Sequence, residues 1–340
     1  MSGARNTKSI NLALQGGGAH GAYTWGVLDR LLAEPGLRIE AISGASAGAM
    51  NAAVLAAGYA AGGAAEARAC LDRFWRGVSA FDGFSAVQGT PFDCLTGGQA
   101  GRAMMTQLVH GMTRSFSPYQ LNPMNYNPLR TLIDDSIDFA ALRDFEGIKL
   151  FVAATNIRSG KVKIFEHENL STDVLLASAC LPSMFQAVEV DGEHYWDGGY
   201  MGNPSIFPLI YKCAARDVLL VQVIPLHRPE IPTTAYDIMN RTNEIGFNSA
   251  IIAEMRAIEF VTRLIDDGKL VDKHYKRMLM HMIEAEDELA PLGAASKLNS
   301  DRRFLETLKE IGQAAADRWL DRNFDDIGER STVDLAATFL

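Results

Sequence analysis

Nowhere in the chain do about 18 apolar residues follow one another without interruption, so no membrane-spanning helix is expected. Cysteine is scarce: Cys70, Cys94, Cys180 and Cys213 are scattered and form no C-x-x-C pair. That excludes a disulfide scaffold and a cysteine-based metal site, and it fits a reducing compartment. Basic residues are outnumbered, 32 Lys and Arg against 41 Asp and Glu, for a net charge of -9. Nucleic acid is therefore not an expected partner, nor is simple electrostatic adhesion to anionic lipid. A peripheral membrane contact through a local apolar surface stays compatible with this balance. The start, M-S-G-A-R-N-T-K-S-I, has no apolar core before Ile10 and does not read as a signal peptide, so a cytoplasmic protein is expected. No internal repeat or low-complexity tract is present.

The 340 residues are 48% hydrophobic and 21% charged, the make-up of a globular enzyme with one large domain or two modest ones. Residues 10–15 read as a buried strand, His20 to Ala33 as a half-buried helix, Ile39 to Ser43 as a second strand and Ala49 to Gly58 as a second helix. Strand–helix–strand–helix predicts a mostly parallel sheet with helices on its faces. Further strands are expected over Lys149–Thr155, Lys161–Phe165 and Val218–Ile224, with a short helix over Asp173–Cys180. A hairpin over Ala187–Tyr195 should turn at Asp191-Gly192. Residues 97–130, rich in Gly, Pro, Asn, Met and Tyr, read as a packed surface insertion or a lid bordering substrate. Beyond about Pro232 the pattern is helical. There Ile251, Met255, Ile258, Val261 and Ile265 form one stripe, and Glu254, Arg256, Glu259 and Arg263 lie elsewhere around the axis. We expect a domain over 8–230 and a helical extension over 231–340 packed on it.

Two glycine motifs carry the chemistry. Gly16, Gly18 and Gly21, in Q-G-G-G-A-H-G after the first strand, match the G-x-G-x-x-G of a dinucleotide-binding turn. The second strand ends in S-G-A-S-A-G, where Gly44, Ser46 and Gly48 fit G-x-S-x-G in the strand–turn–helix setting of a nucleophile elbow. A dinucleotide fold needs an acid at the end of that strand to hold the ribose, and Ser43-Gly44-Ala45-Ser46 stands there instead. Adjacent parallel strands would open both turns at the same sheet edge. Backbone N–H groups of Gly16, Gly17 and Gly18 could then face the Ser46 hydroxyl as an oxyanion hole. None of His20, His110, His167, His194, His227, His274 and His281 sits in a telling motif. Asp197, in Y-W-D-G-G-Y-M-G-N-P, is a carboxylate on a tight turn after a strand, with Gly198 and Gly199 beside it.

Together, G-G-G-A-H-G, G-A-S-A-G and D-G-G resemble the patatin-like phospholipases. So do S-A-C-L-P-S-M-F-Q-A-V before the aspartate and G-N-P-S after it. The resemblance spans about residues 8 to 226. It implies a three-layer α/β sandwich around a mostly parallel sheet, followed here by the helical C-terminal region. It also implies a Ser46–Asp197 dyad, with Ser46 as nucleophile and Asp197 as general base, and no cofactor or metal. Gly16, Gly17 and Gly18 would be the oxyanion donors, Gly21 would permit close helix packing, and the substrate would be a lipid or other hydrophobic acyl ester. The loop departs from the family at His20, where relatives commonly carry Arg or Lys. Two other readings remain: a nucleotide-binding module built on Gly16, Gly18 and Gly21, and a catalytically inactive lipid-binding protein. A homo-oligomer is compatible with each.

Overall fold

The computed structural model describes residues 7–80, 116–271 and 275–340. Its centre is an eight-stranded sheet of β1 (Lys8–Leu14), β2 (Leu37–Gly44), β3 (Lys149–Asn156), β4 (Val162–Glu166), β5 (Val188–Val190), β6 (Glu193–Asp197), β7 (Asp217–Val221) and β8 (Leu279–Ile283). Strand order is β5-β6-β3-β2-β1-β7-β8, with β4 on the remaining edge of β3. The five strands β3, β2, β1, β7 and β8 run parallel, and β4 and β6 are antiparallel to β3.

Alternation along the strands divides the core in two. Leu12, Leu14, Ile42, Leu150 and Leu219 face one layer of helices. Ala13, Ala41, Phe151 and Leu220 face another. The helices used below are α1 (Gly21–Leu32), α2 (Ala47–Ala80), α3 (Leu129–Ser136), α4 (Thr172–Ser178), α5 (Phe207–Lys212), α6 (Ala235–Asp266), α7 (Arg302–Asn323) and α8 (Leu335–Phe339). Helices α1, α2, α3, α4 and α7 pack on the first face, and α5, α6 and α8 on the second. The result is a three-layer α/β sandwich. Among the described residues no helix is long and apolar enough to cross a membrane.

Three elements differ from the sequence pattern. Helix α2 does not stop at Gly58; it runs to Ala80 across a break at Gly62 and Gly63, where the backbone leaves helical values. The region beyond 231 is mostly helical, but L-M-H-M-I at Leu279–Ile283 is a strand that extends the sheet beside β7. Its central His281 is fully buried and disguises the run as amphipathic. The imidazole is satisfied by Asp217 Oδ1 at 2.9 Å and Thr332 Oγ1 at 3.0 Å. On α6, Ile251, Met255 and Ile258 are buried. Glu254, expected away from that stripe, instead turns inward to accept from the N–H groups of Ile206 and Phe207 (2.8 Å each) at the start of α5. Of the candidate lid, residues 97–115 lie outside the described residues. Tyr119, Met124 and Tyr126 beyond them are exposed.

Helix α7 crosses α1 at unusually close range. A Cβ on Gly312 would lie 2.1 Å from the Tyr23 carbonyl oxygen, and one on Gly26 1.9 Å from that of Lys309. Asp29 fastens the crossing by accepting from Gln313 at 2.7 Å and from Arg68 at 2.8 Å. Glycine to alanine inside a helix ordinarily stabilises by up to about 1 kcal/mol. Here the sign should reverse: Gly312→Ala must push two backbones apart, at a cost of about 1–3 kcal/mol. Thermal unfolding checks it, and a variant at least as stable as the parent would contradict the close crossing.

Candidate active site

Strand register brings the sequence motifs together. β1 and β2 end side by side, Leu14 opposite Gly44, so the glycine loop and the Ser46 turn leave the sheet at the same edge. β3 then positions Asp197. Its Phe151–Thr155 stretch pairs with β4 on one side. On the other side it pairs first with β2, up to Gly44 opposite Val152, and then with β6, where Asp197 lies opposite Ala154. β6 thus takes over the edge of β3 that β2 vacates as it turns into the elbow. Asp197 arrives two residues further along β3, roughly 7 Å, beside Ser46.

The turn at Ser46 is strained. Its φ is 53°, a left-handed value that side-chain-bearing residues rarely adopt. Gly48 permits the elbow, because a Cβ there would come within 2.2 Å of the Leu14 carbonyl oxygen. The N–H of Ser46 donates to Ser178 Oγ at 2.9 Å, which ties the turn to α4. Gly44, Gly21 and Gly198 also pack against neighbours, namely Gly48, Ala47 and Ala153, closely enough to exclude a side chain.

Asp197 is 2% exposed. Its Oδ1 accepts from the Gly199 N–H at 2.7 Å, and the Ser46 hydroxyl is close enough to the same carboxyl group to pull its pKa down. Burial pushes its pKa up from an ordinary 3.8 to about 7, against the opposing pull of the Gly199 N–H and of the nearby Ser46 hydroxyl. The Asp197 backbone is fixed by its N–H to the Cys180 carbonyl (2.8 Å) and by Thr155 Oγ1 on its own carbonyl (2.8 Å). Burial, then proximity to Asp197, raises the Cys180 thiol to about 12, so it stays protonated. No described histidine lines the cleft.

The three loop glycines separate in role. Gly16, expected as an oxyanion donor, has its N–H committed to the buried Asn203 Oδ1 at 2.7 Å and fixes the loop instead. The N–H groups of Gly17 and Gly18 have no partner among the described residues. Gly18 sits at φ 61°. Gln15 anchors the loop from behind: its Oε1 accepts from the Val223 and Ile224 N–H groups (2.8 Å each), and its Nε2 donates to Asn248 Oδ1. Neither Ser178 nor Asn203 was assigned a role from sequence. Both sit in stretches already noted there, S-A-C-L-P-S and G-N-P-S, and only the folded chain gives them partners. Asn203 also keeps a buried Nδ2 without an acceptor among the described residues.

These groups line a cleft of about 170 Å³ whose walls are largely apolar, including Met50, Phe74, Trp75, Leu181, Met184 and Phe185. An apolar trough ending at a hydroxyl, a buried carboxyl and bare backbone N–H groups suits an acyl chain and its ester. The alternative use of the glycine turn lacks its acid: Glu40 accepts from the Ala214 and Ala215 N–H groups (2.7 Å each) just before β7, at the opposite end of the sheet. Among the described residues no cluster of His, Cys, Asp or Glu could hold a metal ion.

Comparison with curated protein sequences found no match. Among solved structures, the chain is similar to VipD from Legionella pneumophila at 16% identity and a TM-score of 0.45, covering 94% of this chain and 67% of that one. The sequence model of the patatin-like phospholipases matches residues 12–210, a span that holds the glycine loop, the Ser46 elbow and Asp197. The chain belongs to the patatin-like phospholipase family.

Proposed function

We propose that this protein is a serine acyl hydrolase that cleaves lipid acyl esters through Ser46 and Asp197. The observation that carries the reading is that Ser46 shares its cleft with a buried carboxyl, Asp197, whose pKa burial has raised to about 7 and whose charged form the Ser46 hydroxyl favours. An ordinary carboxylate is too weak a base to help a serine at neutral pH; one near 7 is matched to the task.

In this mechanism Ser46 Oγ attacks the acyl carbon as its proton passes to Asp197. The oxygen of the tetrahedral intermediate takes hydrogen bonds from the Gly17 and Gly18 N–H groups, each worth ~3 kcal/mol in such sites. Asn203, whose Oδ1 holds the Gly16 N–H, keeps the loop that carries these donors in place. Asp197 returns the proton to the leaving alcohol as the carbon–oxygen bond breaks. It then takes a proton from a water that attacks the acyl carbon, and returns that proton to Ser46 Oγ as the acyl–Oγ bond breaks, which releases the acid and restores both residues. The apolar walls hold the acyl chain and favour esters of hydrophobic acids.

A fluorophosphonate probe tests the assignment. It should add covalently to one residue, and peptide mass analysis should find it on Ser46. An unmodified protein, or a label on any other residue, would sink the proposal.

A further inference from the structure

One charged group of the cleft is left unused by this mechanism. Lys297 lines the cleft with Ser46, yet it comes from the C-terminal region, beyond the matched residues 12–210. It belongs to a short 3-10 turn, Ala294–Leu298, set hard against the glycine loop. A Cβ on Gly18 would lie 2.4 Å from the Lys297 carbonyl oxygen, and Ser296 Oγ sits 2.7 Å from His20 Nε2. The loop is thereby held between Ser46 on one flank and Lys297 on the other.

The ammonium of Lys297 makes no hydrogen bond or ion pair with a carboxylate among the described residues. The acid that acts on it, Glu244, is already bonded to Arg228 at 2.6 Å and Arg241 at 3.3 Å. Three cations thus share one carboxylate, and Lys297 is the one that carboxylate leaves unbonded. His20 adds no positive charge: burial, then the neighbouring Lys297 and Arg228, lower its pKa to about 3. Burial likewise disfavours the charged form of Lys297. A desolvated cation without a bonded partner is expensive unless an anion joins it. In a chain of net charge -9, such a spot inside an apolar cleft favours a ligand with one negative group among hydrocarbon.

Building on the hydrolase reading, we propose that Lys297 is the headgroup-reading residue of this cleft. It pairs with the phosphodiester of a glycerophospholipid whose ester carbonyl lies at Ser46 and the Gly17 and Gly18 N–H groups. Carbonyl and phosphate are a few bonds apart in such a lipid, as the two flanks of the glycine loop are adjacent here. Neutral glycerides offer nothing to the ammonium.

Two measurements test this. The first compares kcat/KM for dihexanoylphosphatidylglycerol with that for dihexanoylglycerol. Lys297→Gln should lower the ratio by about tenfold to a hundredfold, and Lys297→Arg should restore most of it. An unchanged ratio overturns the proposal. The second is calorimetric titration of Ser46→Ala with dihexanoylphosphatidylglycerol, with and without Lys297→Gln, beside titrations with inorganic phosphate and hexanoate. Weakening of the phospholipid alone by tenfold or more supports a lipid headgroup site. Equal weakening of inorganic phosphate means a free-phosphate site, and weakening of hexanoate means a carboxylate site; either overturns it. If the parent protein hydrolyses no ester while Lys297-dependent phospholipid binding persists, the hydrolase reading fails and the headgroup site stands.

Discussion

Ser46→Ala should reduce kcat/KM for a p-nitrophenyl ester by about 10⁴-fold or more while the protein remains folded. Losses of this size are expected when a nucleophile is removed from a unit whose other members cannot act without it. Backbone strain adds a second reading to the same position. With φ at 53°, Ser46 holds a conformation that costs a residue with a Cβ roughly 1 kcal/mol or more. Ser46→Gly should therefore be as inactive as Ser46→Ala and more stable, by about 1 kcal/mol. Thermal unfolding beside the activity assay separates the effects. A Ser46→Ala protein with parental activity would remove serine from the mechanism.

Asp197→Asn should lose about 10³-fold in activity and gain stability. The loss follows because an amide cannot take the Ser46 proton. The gain follows from linkage. The folded carboxyl titrates near 7 and the ordinary value is 3.8, so between those pH values the native state holds a proton that the unfolded chain has released. Stability from this group therefore declines as pH rises through that window and levels off above about 7. Asparagine removes the slope and can still accept from Gly199 N–H, so the variant should be more stable at pH 8 by roughly 2–4 kcal/mol. Activity of the parent runs the other way. Its kcat/KM should fall about tenfold for each pH unit below 7 and reach a plateau above it. A flat profile from pH 5.5 to 8 would rule out this carboxyl as the base. Site groups that function needs ionised, but burial keeps protonated, set activity against stability.

What the sequence made legible here is what local chemistry controls. The G-x-S-x-G turn needed only a strand, small neighbours and a following helix, and Ser46 indeed sits at a left-handed φ between β2 and α2. The hairpin at Asp191-Gly192 turns with positive φ at both residues, as that dipeptide favours. Partners distant in sequence were not legible. Gly16 could not be read as bonded, because its acceptor Asn203 lies beyond five further strands, β2 to β6. Glu254 looked like a solvent-facing charge until α5 supplied two N–H groups for it. β8 was hidden because an interior histidine counts as polar unless Asp217 and Thr332 are known to receive it. Lys297 carried no motif, and only the packing of its turn on Gly18 brings it into the cleft.

The position of β1 also bears on the order in which the molecule comes into being. Its neighbours are β2, which follows at once, and β7, whose Val218 pairs with Asn11. Lys8 Nζ, at the other end of the strand, donates to the Ile327 carbonyl oxygen at 2.6 Å. During synthesis the glycine loop and Ser46 leave the ribosome well before Asp197, the Val223 and Ile224 amides that hold Gln15, and Lys297. The central strand cannot be enclosed until almost the whole described chain is free, so folding is dominated by contacts distant in sequence. A nascent chain exposes Ser46 before Asp197 and the amides that fix the glycine loop have emerged. On the proposed mechanism, hydrolysis is thereby withheld until the polypeptide has closed upon itself.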